Sequence, residues 1–333
     1  MILAMKLSDF DYHLPKELIA QYPLPQRDEA RLLVLDRAKG TIQHSVFKDI
    51  LYYLEIGDLL VLNDTKVLPC RLFGKRKTGG RVEVFLVNHK CGPTFNVMLR
   101  PSRVKPGEKI IFKGGKILAG VDNKNEVTFN TGHVEDIYGL GVMPLPPYIK
   151  REAEDSDNIY YQTVYAKKEG AVASPTAGLH FTDELIEKIK KYGAGFTNVT
   201  LHVGPGTFKP VKAEDITKHE MEPEYFQIPK DAAERIDGAK KEKKRLIAVG
   251  TTSLRALESY ASGISKGYTD LFIYPGYKFK LSNCLLTNFH LPKTTLFMLV
   301  CAFAGEKLAK RAYEAAIAEK YRFYSYGDAM LIL

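Results

Sequence analysis

The stretch Leu246-Ile-Ala-Val-Gly-Thr-Thr-Ser-Leu-Arg255 decides the fold: four apolar residues, one glycine, three hydroxyl residues, then the start of an apolar-periodic segment. That order describes a buried strand that ends at Gly250 and hands over to a helix whose first residues are hydroxylated. Strands that feed helices in this way build α/β sheets.

Working outward, the same alternation recurs. Downstream of a strand at residues 196–203 comes a helix at 231–244, opened by an Asp231-x-x-Glu234 capping pair; strands at 271–274 and 285–287 precede helices starting near 294 and 306. Upstream lie a strand at 32–35, a helix at 47–54 and a buried strand at 58–62. Between the two halves the period changes. Residues 81–87, 94–99, 109–112, 116–121 and 126–130 read as short strands divided by Gly79-Gly80, Lys105-Pro-Gly107, Gly114-Gly115 and Asp122-Asn123. This is the spacing of a small antiparallel barrel or sandwich, closed off by Met143-Pro-Leu-Pro-Pro147, where proline breaks regular structure. The expected fold is therefore an open mixed α/β sheet domain with an inserted small antiparallel β-barrel. Residues 1–64 and 149–333 form the discontinuous α/β catalytic domain, and residues 65–148 the basic barrel.

Composition supports ordinary globular packing: 333 residues, 45% hydrophobic and 26% charged, with no low-complexity tract. Cys70, Cys91, Cys284 and Cys301 are too dispersed for a Cys-x-x-Cys zinc or redox pair, so a reduced cytoplasmic protein is expected. The first residues carry no basic region followed by a long apolar stretch, and the longest apolar run, 296–304, is too short for a bilayer. No membrane association and no obligate protein partner are expected.

The net charge of +9 is localised. Residues 65–116 hold 13 Lys or Arg against Glu83 and Glu108, a balance of +11, which leaves −2 for the rest. A confined cationic segment suits a polyanion, because neutralised phosphates release counterions. Lys66, Arg71, Arg76, Arg100 and Arg103 are the candidate contacts. A merely lysine-rich solvated surface is the rival reading.

Four polar, glycine-containing loops fall at element boundaries, where open α/β sheets place ligands. In the first, Gly250, Thr251, Thr252 and Ser253 offer amides and hydroxyls to a carboxylate or phosphate, with Arg255 as a possible fork; an ordinary N-cap stands level with that reading. The second, His202-Val-Gly-Pro-Gly-Thr-Phe208, lets backbone approach a ligand at Gly204 and Gly206 beside Thr207, and lacks the phosphate-loop spacings. The third, Ala173-Ser-Pro-Thr-Ala-Gly-Leu-His180, brings Thr176, Gly178 and His180 ahead of a helix capped by Thr182. The dipole there disfavours a protonated imidazole and keeps His180 available as a base, although a lone histidine is more often a hydrogen-bonded structural residue. The fourth, Leu286-Thr-Asn-Phe-His-Leu-Pro292, offers Asn288 and His290. His219-Glu-Met-Glu-Pro-Glu224 lacks a second histidine, so no metal is expected, and the basic run 240–245 reads as a solvated helix face.

Taken together, Ser-Pro-Thr-Ala-Gly-Leu-His-Phe (174–181), His-Val-Gly-Pro-Gly-Thr-Phe (202–208), Val-Gly-Thr-Thr-Ser-Leu-Arg-Ala-Leu-Glu-Ser (249–259) and Leu-Thr-Asn-Phe-His-Leu-Pro (286–292) resemble the S-adenosylmethionine:tRNA ribosyltransferase-isomerase family of queuosine biosynthesis. Residues 10–25, Asn-Asp-Thr-Lys at 63–66, Met-Pro-Leu-Pro-Pro at 143–147 and the closing segment 321–330 extend the resemblance over nearly the whole chain.

The resemblance implies transfer of the ribosyl group of S-adenosylmethionine to a 7-aminomethyl-7-deazaguanine at the tRNA wobble position. Isomerisation then gives epoxyqueuosine, with adenine and methionine released. S-adenosylmethionine is the substrate, and no separate cofactor is implied. The resemblance also implies a histidine where this chain has Glu222 and an aspartate where it has Asn283, so neither residue is assigned a role. On this reading His180 and His202 are the candidates for base and acid, in either order, Asn288, His290 or a backbone group assists the leaving adenine, and Arg255 with Thr251, Thr252 and Ser253 holds the methionine carboxylate. An S-adenosylmethionine-dependent RNA methyltransferase and a non-catalytic RNA-binding protein are the rival functions; the first lacks the expected Gly-x-Gly loop, and the second leaves the polar loops without purpose.

Overall fold

The computed structural model describes residues 5–208 and 210–333, the side chains of Thr207 and Phe208 excepted. A hairpin of β1 (Arg31–Asp36) and β2 (Thr41–Val46) leads through a 3-10 segment, Phe47–Tyr53, to the buried strand β3 (Leu59–Asn63). β4 (Thr65–Val67) then leaves the sheet. The barrel follows as β5 (Arg71–Arg76), β6 (Arg81–Cys91), β7 (Thr94–Arg100), β8 (Lys109–Phe112), β9 (Ile117–Asn123) and β10 (Glu126–Phe129). A short helix α1 (Val134–Tyr138) and strand β11 (Gly141–Val142) bring the chain back.

The barrel order is β5-β6-β7-β10-β9-β8, and β8 pairs again with β5, so six antiparallel strands close on themselves. Closure removes the exposed edges that a small sheet would otherwise present. Gly74 sits at the seam, where a Cβ would lie 2.5 Å from Ile110; only a bare backbone lets the two strands meet. The interior is filled by Leu72, Val82, Val84, Phe95, Ile110, Val127 and their neighbours.

After helix α2 (Asp157–Tyr160), β12 (Lys168–Ala171) pairs in parallel with β4 as a separate two-stranded sheet. The main domain resumes with α3 (Asp183–Tyr192), β13 (Gly195–Leu201), β14 (Glu224–Gln227), α4 (Lys230–Lys241), β15 (Leu246–Val249), α5 (Thr251–Tyr260) and β16 (Lys266–Thr269). β17 (Cys284–Asn288), α6 (Thr295–Ala304), α7 (Glu306–Ala318) and β18 (Ala329–Ile332) complete it. The nine-stranded order is β16-β14-β13-β3-β15-β17-β18-β1-β2. At its centre β13, β3, β15 and β17 run parallel. Alternate residues of β3 enter two cores: Leu59 and Val61 meet α4, α5 and α6, whereas Leu60 and Leu62 meet α3 and the 47–53 segment. Among the described residues no helix is long and apolar enough to cross a membrane.

The expected mixed sheet and barrel are both present, with local corrections. Residues 271–274 are not a strand; the ladder is made by β16, and the Leu271 carbonyl accepts from Arg255 Nε instead. The Asp231–Glu234 capping pair is absent: α4 starts at Lys230 behind Pro229, without a side-chain cap. Residues 47–53 are 3-10 rather than α-helical. β2, β5, β14 and β18 are strands that the pattern reading leaves out, and β4 lies outside the barrel ladder.

Candidate active site

The parallel strands aim their carboxyl ends at a cleft of about 1310 Å³, whose other wall is the barrel. The sheet side is supplied by the loops after β13, β15 and β17 and by residues 173–177; the barrel side by Leu86, Val87, Asn88 and His89 of β6 with Val134 and Tyr138 of α1. Helix N-termini and loops converge at this end of a parallel sheet because every crossover leaves from there.

His202 follows β13 directly and is half-buried on the cleft wall. Its Nδ1 lies 2.8 Å from Thr65 Oγ1, and its ring stacks on Tyr225 at 5.6 Å with an 18° interplanar angle. No described residue pairs with Nε2. Desolvation holds the imidazole below its ordinary pKa, so the ring is neutral at pH 7.

Two residues on, Gly204 donates its amide to Glu224 Oε1 at 2.9 Å. The other carboxylate oxygen of Glu224 takes Arg255 Nη1, and both side chains are more than nine-tenths buried. Arg255 Nε and Nη2 donate to the carbonyls of Leu271 and Thr269, at 3.0 and 3.3 Å. Three of its five N–H groups are thus engaged, and through Glu224 Arg255 secures the 202–206 loop while lining the cavity. Gly206 packs over Glu222, which lines the cleft: a Cβ at Gly206 would fall 2.4 Å from Glu222 Oε2.

Asn63, at the end of β3, ties several of these loops together. Its Nδ2 donates to the Leu201 carbonyl and to Thr252 Oγ1, while its Oδ1 accepts from the amides of Leu201 and Thr65. Gly250 (φ +91°), Thr251 and Thr252 line the cleft at the start of α5. Ser253 points back, its hydroxyl bonded to the Val249 carbonyl at 2.8 Å, and is absent from the lining. Thr176 Oγ1 donates to Asn288 Oδ1 at 2.8 Å, and Asn288 Nδ2 reaches the Tyr324 carbonyl. His290 is buried with Nε2 against Thr287 Oγ1 at 2.8 Å, and desolvation pushes its pKa down to about 3. A group of that basicity is no acid at neutral pH.

The structure thus gathers His202, Thr176, Gly204, Gly206, Gly250, Thr251, Thr252, Arg255, Asn288 and His290 around one cavity. It does not bring His180 there. Both ring nitrogens of His180 face backbone carbonyls, Ala177 at 3.2 Å and Gly327 at 2.9 Å, and the ring stacks on Phe47 at 5.0 Å inside the opposite core. The expected second proton-transfer histidine is a packing residue. Gly178 is likewise structural: a Cβ would lie 1.9 Å from Tyr165 Oη. The Thr207 side chain lies outside the described residues. Asn283 is remote from the cleft and pins the start of β15, accepting from the Leu246 amide at 2.9 Å.

Sequence reasoning missed Thr65, Tyr148, Ser174 and Ser325. Ser174 is buried on the cleft wall, and its hydroxyl has no partner among the described residues. Its proximity to the signalled Thr176 was the one available clue. Tyr148 and Ser325 bond to each other across 177 residues, a separation no local pattern encodes. Among the described residues no group of three or more His, Cys, Asp or Glu is placed to hold a metal ion.

The barrel cations divide into two sets. Arg71 is held by Glu83 through two hydrogen bonds, Arg76 by Glu108 through two more, and Lys66 by Glu169 at 3.1 Å. These three expected phosphate contacts are neutralised by internal carboxylates. Arg100 and Arg103 are exposed and have no ion-pair partner among the described residues, as is true of Lys75, Lys77 and Lys105. Register sets their place: Arg100 lies opposite Glu83, near the start of β6, whereas the cleft meets β6 at residues 86–89.

The family described as "Queuosine biosynthesis protein" matches residues 7–332. An "S-adenosylmethionine:tRNA ribosyltransferase-isomerase" of Sulfurihydrogenibium sp. (strain YO3AOP1) is 55% identical over 99% of this chain and 100% of its own. One of the same name from Carboxydothermus hydrogenoformans is 52% identical with the same coverage. A crystal structure of an S-adenosylmethionine tRNA ribosyltransferase from Thermotoga maritima matches with a TM-score of 0.58 at 38% identity, covering 98% of this chain and 100% of that one.

Proposed function

The chain belongs to the S-adenosylmethionine:tRNA ribosyltransferase-isomerase family of queuosine biosynthesis, and on that basis we propose how its cleft works. It is a transferase-isomerase that moves the ribosyl group of S-adenosylmethionine onto tRNA. Our reading takes the acceptor as the aminomethyl group of a 7-deazaguanine at the wobble position and the product as epoxyqueuosine-tRNA, with adenine and methionine leaving. S-adenosylmethionine is consumed as substrate, no further cofactor takes part, and the reaction runs in the cytoplasm.

One observation carries the reading: a cavity of about 1310 Å³ presents a desolvated, oriented imidazole, its Nε2 without a partner among the described residues, between a sheet edge and a cationic barrel. That volume exceeds the roughly 300–1,000 Å³ of ordinary small-molecule sites and admits a sulfonium nucleoside together with an extruded base. His202 removes the proton on the carbon beside the sulfonium, whose positive charge acidifies that bond. The C–H electron pair is taken up by the sugar as the adenine–sugar bond breaks; the acceptor amine then bonds to the opened sugar and gives up a proton, and the carbon–sulfur bond breaks with its electron pair leaving on methionine. With His180 elsewhere, the imidazolium of His202 is also the acid that returns its proton, to the departing adenine. The amides of the first turn of α5 and the Thr251 hydroxyl, with Arg255 beside them on the cavity wall, receive the methionine carboxylate.

The test is incubation of the protein with S-adenosylmethionine and tRNA carrying the aminomethyl deazaguanine, followed by nucleoside mass measurement and assay of free adenine. Adenine release with the corresponding mass gain is expected. Formation of S-adenosylhomocysteine, or an unchanged nucleoside, overturns the reading.

A further inference from the structure

We propose that Thr65 is a positioning residue for His202: its hydroxyl, held in place by the small β4–β12 sheet, fixes the imidazole and remains hydrogen-bonded in both charge states of the ring. The proposal rests on the reading that His202 transfers the proton.

The geometry begins with the three-residue strand β4, which lies outside both large sheets and pairs only with β12. Its register places Thr65 opposite Lys168. From there Thr65 Oγ1 reaches His202 Nδ1 at 2.8 Å and the Lys168 carbonyl at 3.4 Å, while the Thr65 amide is held by Asn63 Oδ1. The other strand supplies Gly170. Its φ of +144° suits glycine, and a Cβ there would lie 3.0 Å from three atoms of the His202 ring. Two strands too short to stabilise much themselves thus deliver a hydroxyl to one nitrogen and a bare backbone to the ring.

A hydroxyl has one proton and can both donate and accept. When His202 is neutral with its lone pair on Nε2, Nδ1–H donates to Thr65 Oγ1, and the hydroxyl proton turns toward the Lys168 carbonyl. When Nε2 gains a proton, the same arrangement persists, because the imidazolium still donates from Nδ1. No group is left unpaired by the transfer, so the ring can take up and release a proton without moving. The alternative tautomer has the hydroxyl donating to Nδ1 and places the proton on Nε2, which suits the return step.

The charged and titratable groups on the elements packed against the ring are Asp64 and Lys66 beside and on β4, Lys168 and Glu169 on β12, Glu224 and Tyr225 on β14, and Glu222 along the cleft. Lys66 is paired with Glu169 and Glu224 with Arg255. Asp64 accepts from Thr200 at 2.7 Å.

The experiment uses the full chain with Thr65→Val and Thr65→Ser. His202 is followed by NMR of isotope-labelled histidine across pH, and adenine release is measured with S-adenosylmethionine and the acceptor tRNA. Thr65→Val is expected to lower kcat on the order of tenfold or more, at nearly constant KM for S-adenosylmethionine. It should also move the His202 titration to lower pH and mix its tautomers, with Thr65→Ser restoring both. A valine variant whose His202 titration and tautomer match the parent overturns the proposal, whatever its kcat. Thr65→Ala replaces the valine variant should that one not fold. Full turnover by His202→Ala would instead remove the reading of His202, while the NMR titration would still decide whether Thr65 sets the ring's state.

Discussion

Glu224 and Arg255 form a buried ion pair that joins β14 to α5, and the carboxylate oxygen left over, Oε1, holds the Gly204 amide at 2.9 Å. The pair is therefore part of the cleft's framework. Removing one partner of a buried pair costs about 3–5 kcal/mol, because the other charge is left uncompensated. Glu224→Gln keeps an acceptor for Gly204 but strands Arg255, and Arg255→Met strands Glu224. Each should lower the thermal midpoint by several degrees, with the double variant less destabilised than the sum. Single variants within about 1 kcal/mol of the parent in denaturant unfolding would show that the pair is not structural.

The two histidines that looked equivalent should separate cleanly. His202→Ala should reduce adenine release by about 10²–10⁴-fold, with tRNA affinity close to the parent's. His180→Ala should lose stability, about 1–3 kcal/mol for a carbonyl left buried without its donor, and retain turnover per folded molecule. Calorimetry on one variant and single-turnover assay on the other make the comparison. Loss of chemistry in a fully stable His180 variant would return that residue to the mechanism.

His290 gives the fold a pH signature. Its folded pKa of about 3 lies below the ordinary 6.5, so the unfolded chain binds the extra proton first. Stability contributed by the neutral ring is complete above about 6.5 and drains away as pH falls from there toward the folded value. The midpoint of thermal unfolding should fall over that window, and His290→Asn should flatten the dependence. An equal slope in parent and variant would assign the acid lability elsewhere.

Barrel substitutions should differ according to their internal partners. Arg100→Ala and Arg103→Ala should weaken tRNA binding and reduce the salt slope by about one each. Arg71→Ala and Arg76→Ala should change the slope little, because Glu83 and Glu108 already neutralise those side chains. Binding isotherms at several salt concentrations decide it. Equal effects from all four would mean that tRNA displaces the internal carboxylates.

Strands with apolar runs, such as Leu246 to Val249, were legible because burial on both faces leaves an unmistakable composition. β2 and β5 were not: Thr-Ile-Gln-His-Ser-Val is largely exposed, and Arg-Leu-Phe-Gly-Lys-Arg carries three charges and a glycine required by the barrel seam. In the site, the loops announced themselves through glycine and hydroxyl residues at strand ends. Direction did not. His180 and His202 both sit near element boundaries, yet one side chain turns inward to carbonyls and the other to the cleft. The internal partner of Arg255 was hidden for a related reason: Glu224 is 31 residues away, and sequence shows a guanidinium without showing what it bonds.

The placement of the unpaired arginines has a consequence for what the enzyme accepts. From Leu86, where the cleft begins on β6, to Glu83, opposite Arg100, is three residues of β6, about 10 Å at roughly 3.3 Å per residue. A closed barrel is stiff, so this interval acts as a gauge. A free base or a mononucleotide can occupy the reaction centre without touching the distal cations, and gains nothing from them. On our reading that Arg100 and Arg103 meet phosphates, only a strand that continues past the reacting nucleotide engages both points, and on that reading the barrel gauges its substrate by reach.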